Sequence, residues 1–328
     1  MSKSFLVTGG AGFIGSHLVD KLLEDKKNKV YVVDNFITGR LSNLNLRNKN
    51  LKIFRCDIRN YNSKFEKFFK NIHTVFHLAG LADLVPSIVS PDRYLSTNVF
   101  GTLNILRASV KNNIKKVVYA ASASCYGISN KIPVSEDFEI KTEHPYALSK
   151  KIGEDLVAHW SKVYGLESVS LRLFNVFGPR SRTTGAYGAV FGVFLSQKIN
   201  NKPLTIVGNG KQTRDFVYVK DVAEAFVKAS KVKKNFEIIN IGSGKEVSVN
   251  YIADLISSKK IYIPKRPGEP DRSLADINKA QRLLKWNPSV NIDEGVRIML
   301  KNINHWKDAP LWDKRSISKA TKVWFKYL

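Results

Sequence analysis

The sequence predicts an α/β fold, a doubly wound parallel sheet with a smaller α/β C-terminal substrate domain. Three observations predict it. Short, uniformly apolar runs alternate with segments of helical spacing through the first half, the pattern of strands covered on both faces by helices. The first apolar run leads directly into a glycine-rich turn and a helix. The second half breaks the alternation with a Gly/Arg-rich loop and a basic, proline-rich stretch.

The elements follow in order. "SFLVTG" (4–9) reads as a buried strand and "FIGSHLVDKLLED" (13–25) as a helix. "KVYVVD" (29–34), "LKIFRCD" (51–57) and "TVFHLA" (74–79) read as strands. A helix over 97–112 precedes the strand "KVVYAAS" (116–122). A second long helix, 146–165, precedes the strand "SVSLRLFN" (168–175). Beyond the loop "GPRSRTTGAYG" (178–188), residues 214–230 read as a strand and then a helix, and 237–244 as another strand. Residues 263–288 are proline-rich and basic and then helical, and the tail 305–328 ends in an amphipathic aromatic stretch. The expected division is a nucleotide-binding domain over 1–175, completed by about 217–243, with 176–216 and 244–328 forming the substrate domain.

Composition narrows the function. With 328 residues, 43% of them hydrophobic, the chain has ample material for a core. Its net charge of +25 comes from lysines spread along the whole chain, not from one block. That reads as a solvated surface, and no nucleic-acid-binding motif accompanies it. No apolar run is long enough to span a bilayer. The N-terminus starts a strand without a signal-peptide layout, so a cytoplasmic protein is expected. Cys56 and Cys125 form no metal or redox motif and are expected to pack as small apolar groups.

"VTGGAGFIGSHL" places Gly9, Gly12 and Gly15 between a strand and a helix. Glycines there allow a tight turn and let backbone N–H groups approach a pyrophosphate at the helix N-terminus, the Rossmann-like arrangement. Asp34 ends the second strand. A carboxylate there can accept hydrogen bonds from ribose hydroxyls and would repel a 2′-phosphate, which argues for NAD over NADP. The expected cofactor site comprises Gly9, Gly12, Phe13, Ile14, Asp34, Asn35, Asp57, Ile58, Leu78, Ala79, Gly80 and Asn98. Asp57 is expected near the adenine, and Arg40 near phosphate or on the surface.

"TGGAGFIG", "AASASCYG", "PYALSK", "LRLFNVFGP" and "QTRDFVYVKD" occur in one order along roughly 1–300. On these motifs the chain resembles the extended short-chain dehydrogenase/reductase family, and within it the NAD-dependent nucleotide-sugar 4-epimerases of the UDP-glucose and UDP-N-acetylglucosamine type. The resemblance implies a catalytic set of Ser122, Tyr146 and Lys150, with Lys150 also on the nicotinamide ribose. Tyr146 and Lys150 stand four apart on one helix face. A lysine ammonium favours the phenolate that would act as general base. Ser122 would hydrogen-bond the same sugar oxygen. Ser124, two residues on in an extended segment, would face the same way. The implied cycle passes through a 4-keto sugar that turns in the site. Ala123 and Ser124 stand where dehydratases of the family carry an acidic pair, and Cys125 where decarboxylases carry a glutamate.

On the substrate side the resemblance implies Asn175, Arg182, Arg214, Arg266, Glu269 and Ser273, together with Ser122 and Ser124. Arg214 and Arg266 match diphosphate-binding arginines, and Glu269 stands where a ribose-binding aspartate is common. Ser273 aligns with a gate that is bulky in members restricted to plain hexoses, so a small residue there leaves room for a 2-acetamido group. Arg180 and Arg182 lie where uronate epimerases hold a carboxylate. Pro86 replaces a larger residue expected beside the sugar, so Ser87 next to it is a weak expectation. The expected substrate is therefore a UDP-sugar, with 2-acetamido sugars tolerated; the alternative is an epimerase of a UDP-uronic acid, plain or N-acetylated, or of another NDP-sugar. The alternatives from another class are a non-catalytic NAD-binding protein and a nucleic-acid-binding protein. Homodimers formed through the helices at 97–112 and 146–165 are a further expectation.

Overall fold

A computed structural model describes residues 3–129, 131–181, 190–265 and 267–328. Through the first half the chain runs β1 (Ser4–Thr8), α1 (Phe13–Leu23), β2 (Lys29–Asp34), β3 (Leu51–Arg55), α2 (Ser63–Lys67), β4 (Thr74–His77), α3 (Leu84–Val89), α4 (Pro91–Leu95), α5 (Gly101–Lys111), β5 (Lys116–Ser122) and α6 (Pro145–Tyr164). It continues with β6 (Glu167–Leu173), β7 (Asn175–Phe177), α7 (Val190–Ile199), β8 (Leu204–Val207), β9 (Thr213–Tyr218), α8 (Val219–Ala229), β10 (Phe236–Ile241), β11 (Glu246–Ser248), α9 (Val249–Ile256) and β12 (Lys260–Ile263). It ends with α10 (Asn278–Leu284), α11 (Ile292–Lys301) and α12 (Lys314–Tyr327).

Seven strands form one sheet in the order β10-β6-β5-β4-β1-β2-β3, and every neighbouring pair is parallel. This is the predicted doubly wound sheet. Burial explains its uniformly apolar strands, since β4 and β5 are buried at every position. One apolar layer joins Leu18, Val19 and Phe226 of α1 and α8 to Val7 and Val32. The opposite layer joins Ile105, Leu106 and Val157 of α5 and α6 to Leu6, Val33 and Val117. The chain reverses direction across the sheet beside β1, so a crevice opens at the carboxyl ends of β1 and β4.

Two expectations need correction. The strand read over 168–175 divides, with β6 in the large sheet and β7 joining β9 and β11 in a three-stranded sheet. The helix read over 97–112 starts earlier, at Pro91, and passes through a π-helical turn at Ser96–Phe100 before α5. That turn carries Asn98, whose side chain bonds both backbone groups of Leu81 and the Ser149 hydroxyl. A third core lies between α7, α9, α11 and α12 and includes Phe194, Ile252, Met299 and the fully buried Trp306.

One buried ion pair fastens α6 to the sheet. Arg172 of β6 grips Glu154 of α6 through two bonds of 2.7 and 3.0 Å, and both side chains are 3% exposed. The same guanidinium donates to the Tyr126 hydroxyl at 2.8 Å and to the Glu136 carbonyl at 3.0 Å. Removing one partner strands a charge in the interior. Arg172→Met is expected to lower the unfolding free energy by about 3–5 kcal/mol in urea melts. The double replacement with Glu154→Met is expected to recover most of that loss.

Candidate active site

The carboxyl ends of the parallel strands surround a cavity of about 710 Å³. Gly9 follows β1, Asp34 closes β2, Leu78 to Gly80 follow β4, Ser122 closes β5, and Asn175 opens β7 just after β6. All of these residues line the cavity, as do Gly12, Phe13, Ile14, Asn35, Ile58, Tyr146 and Lys150. Strand geometry therefore assembles side chains that are far apart in sequence.

Backbone contact dictates the glycines. Gly9 has φ +69°, and a Cβ on it would lie 2.7 Å from the Ala79 nitrogen. A Cβ on Gly15 would lie 2.2 Å from the Gly9 carbonyl oxygen. The two strand ends thus pass at backbone distance, and only glycine fits. No side chain caps α1, so its first-turn amides are left for an anion. Asp34 is 7% exposed and accepts from the amides of Ala11 at 3.0 Å and Phe36 at 2.8 Å. Those bonds fix its carboxylate against the glycine turn, while burial raises its pKa. The chemistry of this cradle suits a dinucleotide: free first-turn amides for a pyrophosphate and a fixed carboxylate for ribose hydroxyls.

Two expected cofactor contacts are not brought onto the cavity wall. Asp57 turns to Arg59, with bonds of 3.0 and 2.8 Å, and accepts from Asn35 at 3.1 Å. Arg59 holds its carboxyl down at about 2. Asn98 is 1% exposed and is spent on Leu81 and Ser149. It fastens the 78–81 loop to α6 from behind.

Ser122, Tyr146 and Lys150 stand together on the wall. The Ser122 and Ser124 hydroxyl oxygens lie 2.8 Å apart, and Ser122 Oγ accepts the Ser124 amide at 3.2 Å. The segment is a 3₁₀ turn over Ala123–Tyr126, not the extended chain expected, and the turn itself brings the two hydroxyls together. A hydrogen bond with Ser122 favours the Tyr146 phenolate, yet burial dominates and raises its pKa. Lys150 is 7% exposed, and its ammonium sits 4.2 Å from the Tyr119 ring centroid. Burial pulls its pKa down to about 7. The sequence expectation of a firm cation lowering the Tyr146 pKa is thus not met by the protein groups alone. The acid one turn along, Glu154, is committed to Arg172.

His144 was not singled out in the sequence. It caps α6, its Nδ1 accepting from the Ala147 amide at 3.2 Å, and its ring stacks on Tyr146 at 5.9 Å and 9°. An accepting Nδ1 places the proton on Nε2. Burial holds the imidazole at about 4, so it stays neutral at physiological pH. A cap of Ser, Thr, Asp or Asn would have been legible; histidine in that position gave no signal.

Across the cavity lie Arg214, Glu269 and Ser273. Arg214 donates to the carbonyls of Thr213 and Pro270 at 2.8 Å each, with Glu269 at 4.0 Å. The neighbouring Asp215, fully buried, accepts from the amides of Gly244 at 3.0 Å and Ala275 at 3.1 Å. This fixes β9 to the irregular segment at Ala275, two residues beyond Ser273. Arg180 reaches the wall, but its guanidinium pairs with Asp20 of α1 at 2.7 Å. Ser87 is buried and donates to the Leu84 carbonyl at 2.6 Å, off the wall. Arg40 is on the wall, whereas Arg182 and Arg266 lie outside the described residues. Among the described residues no group of three or more His, Cys, Asp or Glu side chains could hold a metal. No helix described is long and apolar enough to cross a membrane.

Residues 5–242 match the model of the NAD dependent epimerase/dehydratase family. A Methanocaldococcus jannaschii protein provisionally named UDP-glucose 4-epimerase is 40% identical over 89% of this chain and 95% of its own. The UDP-glucuronate 4-epimerase of Thermodesulfobacterium geofontis is 34% identical over 97% and 99%. Among solved structures, the UDP-N-acetylglucosamine 4-epimerase of Methanobrevibacter ruminantium M1, in complex with UDP-N-acetylmuramic acid, superposes with a TM-score of 0.86. It shares 37% identity and is matched over 93% of this chain and 98% of its own.

A buried lysine without a carboxylate destabilises the chain that carries it. Its folded pKa lies below the unfolded value, so stability is lost as the pH falls from about 10.4 toward the folded value. Lys150→Met is therefore expected to stabilise the ligand-free chain at pH 7, by up to roughly 4 kcal/mol. The gain should shrink as urea melts are repeated toward pH 10. A variant less stable than the parent at pH 7 would show that the ammonium has a protein partner.

Proposed function

The chain belongs to the NAD dependent epimerase/dehydratase family, and we propose that it inverts C4 of a UDP-sugar through a transient 4-keto intermediate and accepts 2-acetamido sugars. It is an NAD-dependent enzyme of the isomerase class. The observation that carries the reading is the meeting of Ser122, Tyr146 and Lys150 on one cavity wall with the glycine turn and Asp34.

In this reading the amides of the glycine turn hold the pyrophosphate, Asp34 holds a ribose, and Leu78 to Gly80 pack beside the cofactor. Bound NAD would supply the acceptor, and then the donor, of the C4 hydride. The chain's own residues handle the proton. Tyr146 Oη receives it from the C4 hydroxyl, and Ser122, backed by Ser124 at 2.8 Å, donates to the same oxygen. Ligand hydroxyls give the Lys150 ammonium the acceptors that the protein withholds, and the restored cation favours the phenolate. His144 holds the first turn of α6 and packs the Tyr146 ring.

Arg214 binds the diphosphate and Glu269 the nucleotide's ribose. The sugar is anchored through a remote group and can turn between the two half-reactions. Ser273 is small and on the wall, which supports room for a 2-acetamido group. A uronate is the weaker reading, because the Arg180 guanidinium is paired with Asp20 at 2.7 Å. Pairing of two copies through the helices at 97–112 and 146–165 belongs to the same proposal. It is supported by exposed Phe100 beside α5 and Leu148 on α6.

The test is incubation with UDP-GlcNAc, UDP-glucose and UDP-glucuronate separately, followed by NMR without added NADH. The C4 epimer of UDP-GlcNAc is expected to accumulate to equilibrium. Tyr146→Phe is expected to slow it by about 10²–10⁴-fold while retaining NAD. Stable oxidised sugar with stoichiometric loss of NAD would contradict the assignment.

A further inference from the structure

The last helix of the chain contributes Trp324 to the cavity wall. Helix α12 starts in a capping box, where the Asp313 side chain accepts the Ser316 amide and the Ser316 hydroxyl meets the Asp313 backbone. Ile317, Thr321 and Trp324 form its buried stripe at the i, i+4, i+7 spacing of one helix face. Upstream the tail is moored by the buried Trp306 and by the Trp312 carbonyl, which accepts from Gln197 at 2.6 Å.

Helix α12 meets two parts of the cavity wall. α12 packs against α3, whose Leu84 and Val85 are on the wall. From the same helix the Trp324 indole N–H donates to the Pro267 carbonyl at 2.7 Å. Trp324 is 3% exposed and itself lines the cavity beside Gly268 and Glu269.

The segment "PKRPGEP" (264–270) needs an outside hold. Its three prolines remove backbone donors, and Gly268 takes φ +69°, so its described residues join no strand ladder. Two side-chain donors grip its carbonyls instead: Trp324 on Pro267, and Arg214 on Pro270 at 2.8 Å. Between these grips sits Glu269, 4.0 Å from Arg214. Loosening the first grip frees the segment at the point where it presents Glu269.

We propose that Trp324 is a positioning residue for the nucleoside diphosphate, and that α12 is a strap fixing the 267–270 wall. This rests on the assignment of Arg214 and Glu269 to the nucleotide. Trp324 acts through the segment it holds, so its loss weakens nucleotide binding and leaves the cofactor side untouched.

The test uses UDP as the probe with the NAD-loaded chain, by calorimetry well below the melting temperature. The variants are Trp324→Phe, which keeps the ring and loses the N–H, and a chain ending at Asp313. Losing one hydrogen bond of about 0.5–1.5 kcal/mol predicts a UDP affinity about 2–10-fold lower for Trp324→Phe. The shortened chain should lose more. KM for the sugar nucleotide should rise by the same factor, kcat should move less, and NAD affinity should stay the same. UDP affinity equal to the parent's in Trp324→Phe, with only the melting temperature lowered, overturns the proposal. If the parent binds NAD and not UDP, the nucleotide assignment fails, and this inference fails with it.

Discussion

The site depends on a buried lysine whose nearby acid, Glu154, is bonded to Arg172. Lys150 is 7% exposed and touches the Tyr119 ring. The acid on the next turn is held by Arg172 in a separate buried pair. An uncompensated charge of this kind is expensive in the ligand-free chain. On the proposed placement of Lys150 against the cofactor, hydroxyls that solvate the ammonium would recover this cost on binding. The state of Tyr146 follows from the same balance. Burial keeps the phenol protonated, the Ser122 bond works against that, and a restored cation beside it shifts the balance further. On the proposed assignment of Tyr146 as the base, it becomes competent only when the cavity is filled.

The sheet sets these distances. Strands ending on one edge deliver Gly9, Asp34, Leu78 and Ser122 to the same crevice. The Gly9 turn and the chain after β4 approach so closely that a single Cβ would collide with backbone. Such contacts are rigid, and electrostatic preorganisation needs rigidity. The wall opposite is built differently. It is a proline-rich segment gripped by side chains from β9 and α12. The two walls therefore suit the different tasks proposed for them: a rigid one for the cofactor and an adjustable one for the sugar nucleotide.

Much of the first wall was legible in the sequence, because its signals are local. A glycine at backbone contact, an acid at a strand end and a Tyr–Lys pair one helical turn apart depend on neighbouring residues and a fixed periodicity. The parallel sheet was legible for the same reason. Contacts chosen by tertiary competition were not. Asp57 had a nearer cation in Arg59, and Asn98 was drawn behind a loop by Leu81 and Ser149. Arg180 found Asp20, 160 residues away. The second half, with short strands shared between two small sheets, gave weak periodicity. The tail read only as an amphipathic stretch, because the sequence carries nothing to say that its buried face ends on a cavity.

The central claim is that one hydrogen leaves C4 of the sugar and returns to the same carbon, with Tyr146 moving only the hydroxyl proton. Incubating the holoenzyme with UDP-GlcNAc carrying deuterium at C4 tests it most directly. Mass and NMR analysis of the product should find the deuterium fully retained at C4 of both epimers, with no label in water and no net change in NAD. Loss of the label to solvent, or its appearance at another carbon, would contradict the account.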